Sequence, residues 1–276
     1  MEMSYQIIAV DMDGTLLKSD KTIHEDSIRD IQDAVENGMQ VVYCTGRALS
    51  EMQSYFAVLP MVRYAVCYSG AIVYDCTENK CIYRKEIEQK YISKIVETAK
   101  HYKAMVHFMT EEESIVSSFD ITHMNDFHMG IYQPMYLEVT RQVKDMEEEG
   151  KRHEAIAKIN IYFRSTKDRD KGYEELKKLP LTFAFAEETG LEMNAQCVTK
   201  ATGLEHLAKY LNMPMRRIAA IGDADNDRDM LREVGFSVAM GNASGDIKEQ
   251  CDFITGDNDH NGVGEAIRYI MSIGDD

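Results

Sequence analysis

The sequence predicts an α/β protein: a doubly wound parallel sheet whose chain is interrupted by a second, α+β segment. Three observations carry this. Strand-like apolar runs alternate with amphipathic helices at both ends of the chain, the pattern of parallel βαβ units. The middle, roughly residues 85 to 190, mixes short strands and helices without that alternation. Carboxylates stand just after two of the apolar runs, at the strand ends where open α/β sheets bind ligands.

The elements follow in order. Tyr5-Gln6-Ile7-Ile8-Ala9-Val10 reads as a buried strand. Ile28, Ile31, Ala34 and Val35 mark the first helix, and Asn37-Gly38 stops it. Met39–Cys44 is the next strand, followed by a helix expected to run from Thr45-Gly46-Arg47 to about Leu59, with Pro60 just beyond. Ala71 to Tyr83 reads as a hairpin. In the middle section a helix is expected at 92–102, strands at 105–109, 115–118, 156–163 and 182–186, and a helix around 171–178. The charged run 145–152 reads as a solvated helix end or loop. Leu204, Leu207, Ala208 and Leu211 form the apolar stripe of a later helix, and Arg217–Ile221 a last buried strand. The expected division is a core of 1–84 and 190–276 with 85–189 inserted.

At 276 residues and 44% hydrophobic, the chain has room for two domains of ordinary size. Its 31 Lys and Arg face 47 Asp and Glu, a net charge of −16 that disfavours nucleic acid and anionic membranes as partners. No stretch is apolar enough for a transmembrane helix, and no basic region with a long apolar core opens the chain, so a cytoplasmic protein is expected. The six cysteines (Cys44, Cys67, Cys76, Cys81, Cys197, Cys251) are scattered without a CxxC pair and read as reduced.

The chemistry is concentrated in Asp11-Met12-Asp13-Gly14-Thr15. Two carboxylates two residues apart at a strand end repel each other unless something positive sits between them, most simply Mg²⁺. Gly14 lets the backbone turn sharply beside a ligand. Read alone, the motif is also an ordinary turn. Gly222-Asp223-Ala224-Asp225-Asn226-Asp227 repeats the arrangement after the strand 217–221, and Asp223 and Asp227 are spaced to face one site. Thr45-Gly46-Arg47 offers a hydroxyl and open backbone N–H groups to a phosphate oxygen. Lys200 opens a helix, against the macrodipole, either as a solvated surface residue or beside an anion.

Together, in the order DxDGT, TGR, Lys, GDxxND, these residues resemble the haloacid dehalogenase superfamily, and Val238–Ala243 with Asn261-Gly262-Val263 resemble its Cof-type phosphatases. The resemblance covers roughly residues 5–75 and 190–270. It implies a Rossmann-like core with an inserted type IIB cap that governs substrate choice. It implies Asp11 as nucleophile, forming an aspartyl-phosphate, and Asp13 as acid and base. Mg²⁺ would be held by the Asp11 carboxylate, the Asp13 backbone carbonyl and Asp223, with Asp227 a direct ligand or an anchor. Thr45, Gly46, Lys200, Asn226 and the Met12 amide would grip the phosphate, with Arg47 counted among the substrate-binding residues. Ser69 departs from the Asn usual at its position, and Arg228 and Asp229 stand where smaller or apolar residues are common.

The implied function is a Mg²⁺-dependent phosphatase for small phosphorylated metabolites, first of all sugar phosphates. FMN or pyridoxal phosphate as substrate and a phosphohexomutase stay open as alternatives. A regulator that binds phosphorylated metabolites is disfavoured, because binding needs no nucleophile. His123, Asn125, Asp126, His128 and Tyr132 suit a sugar or nucleotide, but read first as a polar surface loop with core aromatics. Oligomeric state, monomer or dimer, is left open.

Overall fold

The computed structural model describes residues 5–273. The chain divides into two compact units. One comprises the residues up to Gly46, Ser54–Tyr83 and those from Thr199 on; the other comprises Arg47–Gln53 and Arg84–Val198.

The first unit is built on an eight-stranded sheet. Its strands lie in the order Phe253–Ile254, Phe236–Ala239, Ile218–Gly222, Ile7–Val10, Gln40–Cys44, Tyr64–Cys67, Ile72–Asp75 and Lys80–Arg84. The six from Phe253–Ile254 to Tyr64–Cys67 run parallel, and Ile72–Asp75 pairs antiparallel at the end of that set. Ile7–Val10 is buried throughout, as the continuous apolar run requires of a strand covered on both faces. It lies between Gln40–Cys44 and Ile218–Gly222. The chain therefore builds outward in one direction first and later in the other, which makes the end of this strand the switch point of the sheet.

Ile7, Ala9, Val42 and Val66 pack with Leu204 and Leu207 of the helix Lys200–Tyr210. The helices Glu25–Glu36 and Gly262–Ser272 pack against each other. The expected helix after Thr45-Gly46-Arg47 is broken into a 3₁₀ turn, Leu49–Glu51, and a short helix, Gln53–Val58. The buried Glu51 carboxylate accepts the Ala48 N–H at 3.0 Å, a capping-box contact that fixes the start of the 3₁₀ turn at Leu49 rather than at Thr45.

The strand Tyr64–Cys67 ends in a constrained loop. Tyr68, Ser69 and Gly70 all have left-handed backbones, with φ of 54°, 54° and 103°. The Ser69 N–H donates to the Thr45 carbonyl at 2.9 Å and so ties two strand-end loops together. A Cβ on Gly70 would lie 2.0 Å from the Thr199 carbonyl oxygen, and one on Gly203 would lie 2.6 Å from Val66. These two glycines let the Lys200 helix approach the loop. Gly70→Ala is expected to destabilise the protein by about 3 kcal/mol, from overpacking against backbone plus the left-handed φ. Urea unfolding checks this, and a loss below roughly 0.5 kcal/mol, the range of ordinary surface changes, would refute the close-approach argument.

The second unit has a six-stranded sheet in the order Leu181–Ala186, Gly190–Ala195, Lys158–Tyr162, Met105–Met109, Ser114–Ser117, Thr140–Val143. All neighbours are antiparallel except the last pair. Alternation fixes its two faces. Ile159, Ile161, Phe108, Leu191 and Met193 form a core with Ile92, Ile95 and Leu176 from the helices Gln89–His101 and Thr166–Leu176. The intervening positions are polar yet buried: His107, Lys158, Asn160, Glu192 and Asn194.

Three expectations for this unit change. Gly190–Ala195 pairs on both sides within its sheet, so the unit runs to Val198 rather than to 189, and its other boundary lies between Tyr83 and Arg84. The expected strand 156–163 splits, because Ala155–Ile156 pairs with Ile87–Glu88 before Lys158–Tyr162 begins. The run 145–152 is not simply solvated. Asp145 caps the helix Met146–Gly150, and Glu149 is buried with Arg141 at 2.6 Å and His153 at 3.0 Å. Among the described residues no helix is long and apolar enough to cross a membrane.

Candidate active site

Asp11 stands at the carboxyl end of the central strand, where its N–H still donates to the Ile221 carbonyl at 3.0 Å. The chain then folds tightly, with the Thr15 and Leu17 N–H groups both donating to the Met12 carbonyl. Gly14 is obligatory here. Its φ is 83°, and a Cβ would lie 2.4 Å from Asp223 Oδ2. Asp223 follows the neighbouring strand, whose Ile221 is in register with Val10, so the two motifs meet because their strands are adjacent. The Thr15 hydroxyl donates to Asp223 Oδ1 at 2.7 Å.

Asp227 lies one turn on and is fully buried. Its Oδ2 accepts the N–H groups of Asp223 and Ala224, both at 3.1 Å, which fixes the turn. Lys200, only 1% exposed, donates to Asp11 Oδ1 at 2.5 Å and to Asp227 Oδ1 at 2.7 Å. The lysine at a helix start thus faces two carboxylates.

Carboxylate oxygens of Asp11, Asp223 and Asp227 lie within 4.8 Å of one another. Burial raises the Asp11 pKa well above the usual carboxylate range, and the nearby Asp227 adds to this against the pull of Lys200. Burial and Asp227 likewise push Asp223 up to about 6. Burial disfavours the Lys200 ammonium, but Asp11 and Asp227 outweigh it and hold its pKa above the ordinary lysine value. Three acids against one ammonium leave uncompensated negative charge, and an all-oxygen donor set of this kind fits a hard divalent cation. Asn226, in the turn between Asp225 and Asp227, has a buried Oδ1 with no hydrogen-bond partner. Such an orphaned group wants a partner the chain does not supply.

The other residues singled out in the sequence fall as follows. Asp13 is part-exposed and pairs with Lys21 at 2.9 Å. Met12 and Thr45 are buried, and Gly46 is the last residue of its segment in the first unit. Arg47 belongs to the second unit, where its Nη1 lies 3.1 Å from Met135 Sδ. The polar cluster of the middle section is engaged within its own unit. His123 stacks on Phe119, with ring centroids 4.3 Å apart. His128 lies 2.9 Å from Glu188, Asp126 lies 3.2 Å from Arg164, and the Tyr132 hydroxyl donates to Glu187 at 2.7 Å. That is the arrangement of a polar surface loop.

Sequence reasoning missed two sets of residues. Lys21 gives no signal in the chain. The buried polar face of the second sheet was detectable in principle, since Lys158 and Asn160 alternate with Ile159 and Ile161. Asn242, within the quoted motif 238–243, proves to bridge: its Nδ2 donates to the Gly14 carbonyl at 2.8 Å.

The geometry has counterparts among known proteins. A family model described as haloacid dehalogenase-like hydrolase matches residues 8–267. Two Bacillus subtilis (strain 168) proteins are each 27% identical. One is the phosphatase YwpJ, over 96% of this chain and all of its own. The other is the 5-amino-6-(5-phospho-D-ribitylamino)uracil phosphatase YcsE, over 97% of this chain and 96% of its own. A solved subclass IIB sugar phosphatase, BT4131, superposes with a TM-score of 0.82 at 19% identity, over 96% of this chain and 98% of that one, and so shares the fold. With a family model spanning both sequence motifs and everything between them, this chain belongs to the haloacid dehalogenase-like hydrolases and is an enzyme of that family.

Proposed function

We propose that this hydrolase is a Mg²⁺-dependent phosphatase for phosphate monoesters of small metabolites, sugar phosphates foremost. The observation that carries the reading is the cluster of Asp11, Asp223 and Asp227, in which the buried Asp11 and Asp227 both pair with Lys200. Asp11 Oδ attacks phosphorus as the bond to the leaving alcohol oxygen breaks, and Asp13 delivers a proton to that oxygen. Asp13 then takes a proton from the water that attacks the aspartyl-phosphate, and phosphate leaves with Asp11 restored. The Asp11 carboxylate, the Asp13 backbone carbonyl and Asp223 are the groups suited to hold Mg²⁺, which would offset charge on the transferring phosphoryl group. Asp227 fits an anchoring role, because its two oxygens already hold Lys200 and two backbone N–H groups. Lys200, Thr45, Gly46, Asn226 and the Met12 amide bind phosphate oxygens in this reading.

Support for a hydroxylated leaving group comes from two sides. The relative YcsE is named for a ribityl phosphate substrate. A second relative, BT4131, is named a sugar phosphatase and shares the fold.

The test is phosphate release from sugar phosphates, nucleotides, FMN and pyridoxal phosphate, with Mg²⁺ and with EDTA. Mg²⁺-dependent release led by sugar phosphates is expected. Release led by FMN or pyridoxal phosphate would replace the substrate class, and an isomerised sugar phosphate without release would indicate a mutase.

Metal affinity should follow Asp223. Its pKa of about 6 in the metal-free fold exceeds its ordinary value, so the folded state holds this proton more tightly than the unfolded chain. As pH falls through about 6, a proton competes with Mg²⁺, while the metal-free fold loses an unfavourable charge and gains stability. The Mg²⁺-induced rise in Tm is therefore expected to be larger at neutral pH than near pH 5, on the acid side of the Asp223 pKa of about 6. Equal rises in thermal unfolding at both pH values would contradict this.

A further inference from the structure

The hairpin that follows the first motif is held in place more firmly than a surface turn needs. Leu17 bridges to both Asp13 and Ile23. The turn closes through Lys18 N–H to Thr22 carbonyl at 2.9 Å and Lys21 N–H to Lys18 carbonyl at 2.8 Å. Asp20 accepts both the N–H and the hydroxyl of Thr22, at 3.0 and 2.6 Å. From outside, Asn258 donates to the Leu17 carbonyl at 2.9 Å, and Asp259 accepts the Ser19 N–H at 2.8 Å and hydroxyl at 2.7 Å. The Tyr55 hydroxyl donates to the Lys21 carbonyl at 3.1 Å.

These contacts hold Lys21 at a φ of 65°, a left-handed backbone that suits Gly or Asn and disfavours a long side chain. Such a strained residue persists only where its surroundings enforce it. The consequence is visible at its tip: the ammonium lies 2.9 Å from Asp13 Oδ1, with both side chains about one-third exposed or less, at 28% and 33%.

We propose that Lys21 is a positioning residue for proton transfer, holding the Asp13 carboxylate in place for the leaving-group oxygen. The proposal rests on the phosphatase reading above. Lys21 acts through Asp13 and need not touch substrate. Its contribution is geometric, since a proton donor displaced by about 1 Å can lose on the order of a hundredfold in rate.

Leaving groups separate this role from phosphate binding. p-Nitrophenyl phosphate and phenyl phosphate have nearly the same shape, but nitrophenolate departs readily without a proton and phenolate does not. The quantity to measure is kcat/KM, which includes the step in which the leaving group departs. In Lys21→Met and Lys21→Gln, kcat/KM for phenyl phosphate is expected to fall roughly 30-fold or more, within the range general acids supply, and for p-nitrophenyl phosphate by less than about threefold. Lys21→Arg should restore most of the phenyl phosphate activity, and Tm should stay within a few degrees in all three. Equal losses on both substrates, as from a phosphate-binding cation, would overturn the proposal, and so would no loss on either. A wild-type enzyme that releases phosphate neither from these two compounds nor from the sugar phosphates, nucleotides, FMN and pyridoxal phosphate tested above, with Mg²⁺ present, would instead sink the phosphatase reading and this inference with it. An active wild type with equal losses sinks the inference alone.

Discussion

Asp11→Asn is expected to abolish phosphate release, by on the order of 10⁴-fold or more, without unfolding the protein. The two halves have different physical origins. Activity is lost because an amide nitrogen or its carbonyl oxygen does not replace a carboxylate oxygen as the atom that bonds phosphorus. Stability is kept because the ionised form of Asp11 is itself unfavourable in the metal-free fold. Burial and the neighbouring Asp227 both oppose its charge. An amide of the same shape removes that charge, and Lys200 retains Asp227 at 2.7 Å. Urea unfolding of the metal-free variant should therefore match or exceed wild type to within about 1 kcal/mol. Radiolabelled phosphate should no longer be trapped on the protein. Turnover within tenfold of wild type would remove Asp11 from the nucleophile's role.

Lys200→Met should have the opposite balance. The side-chain volume is nearly conserved, but the ammonium shared by Asp11 and Asp227 disappears from a site that is 1% exposed. Removing one partner of a buried ion pair costs about 3–5 kcal/mol, because the remaining charge is left uncompensated. Here a whole carboxylate cluster is left. The loss should be greatest at neutral pH and smaller in mild acid, where Asp223, with its pKa of about 6, takes up a proton. Mg²⁺ should recover part of it by supplying the missing positive charge. Phosphate release should fall by roughly 10²–10³-fold, as when one preorganised donor to a developing charge is deleted. A stability loss below about 1 kcal/mol at neutral pH, the level of a surface ion pair, would show that the cluster is solvated enough to dispense with its lysine.

The contrast between the two variants shows how far the chain could be read as text. Asp11, Asp223 and Lys200 were legible only in combination: each alone suits an ordinary turn or helix start, but together they fall at two strand ends and a helix start in one recognisable motif order. The apolar runs before Asp11 and Asp223 were legible for the same reason that they are buried: a parallel strand covered on both faces cannot alternate. Arg47 shows the limit. Its motif is contiguous with Thr45 and Gly46, yet the arginine packs by Met135 in the other unit. The turn after it starts at Leu49 rather than Thr45 because the buried Glu51 caps the Ala48 N–H, and periodicity carries no information about that. Glu149 looked solvated within a charged run because its burial, beside Arg141 and His153, depends on how its helix packs and not on the composition of the run.

By itself the sequence determined the α/β class, the two carboxylate-bearing strand ends and the acidic, oxygen-rich chemistry of the site. These are local properties, set by hydrophobic period, turn residues and charge. Only the tertiary structure decided which distant residues meet. The pairing of Ile7–Val10 with Ile218–Gly222 sets Asp223 beside Gly14 and Thr15. Gly70 and Gly203 admit the helix that brings Lys200 to Asp11. A left-handed turn aims Lys21 at Asp13. Those choices depend on strand order, on missing Cβ atoms and on backbone angles that no single stretch of sequence specifies, because each is enforced by neighbours far away in the chain.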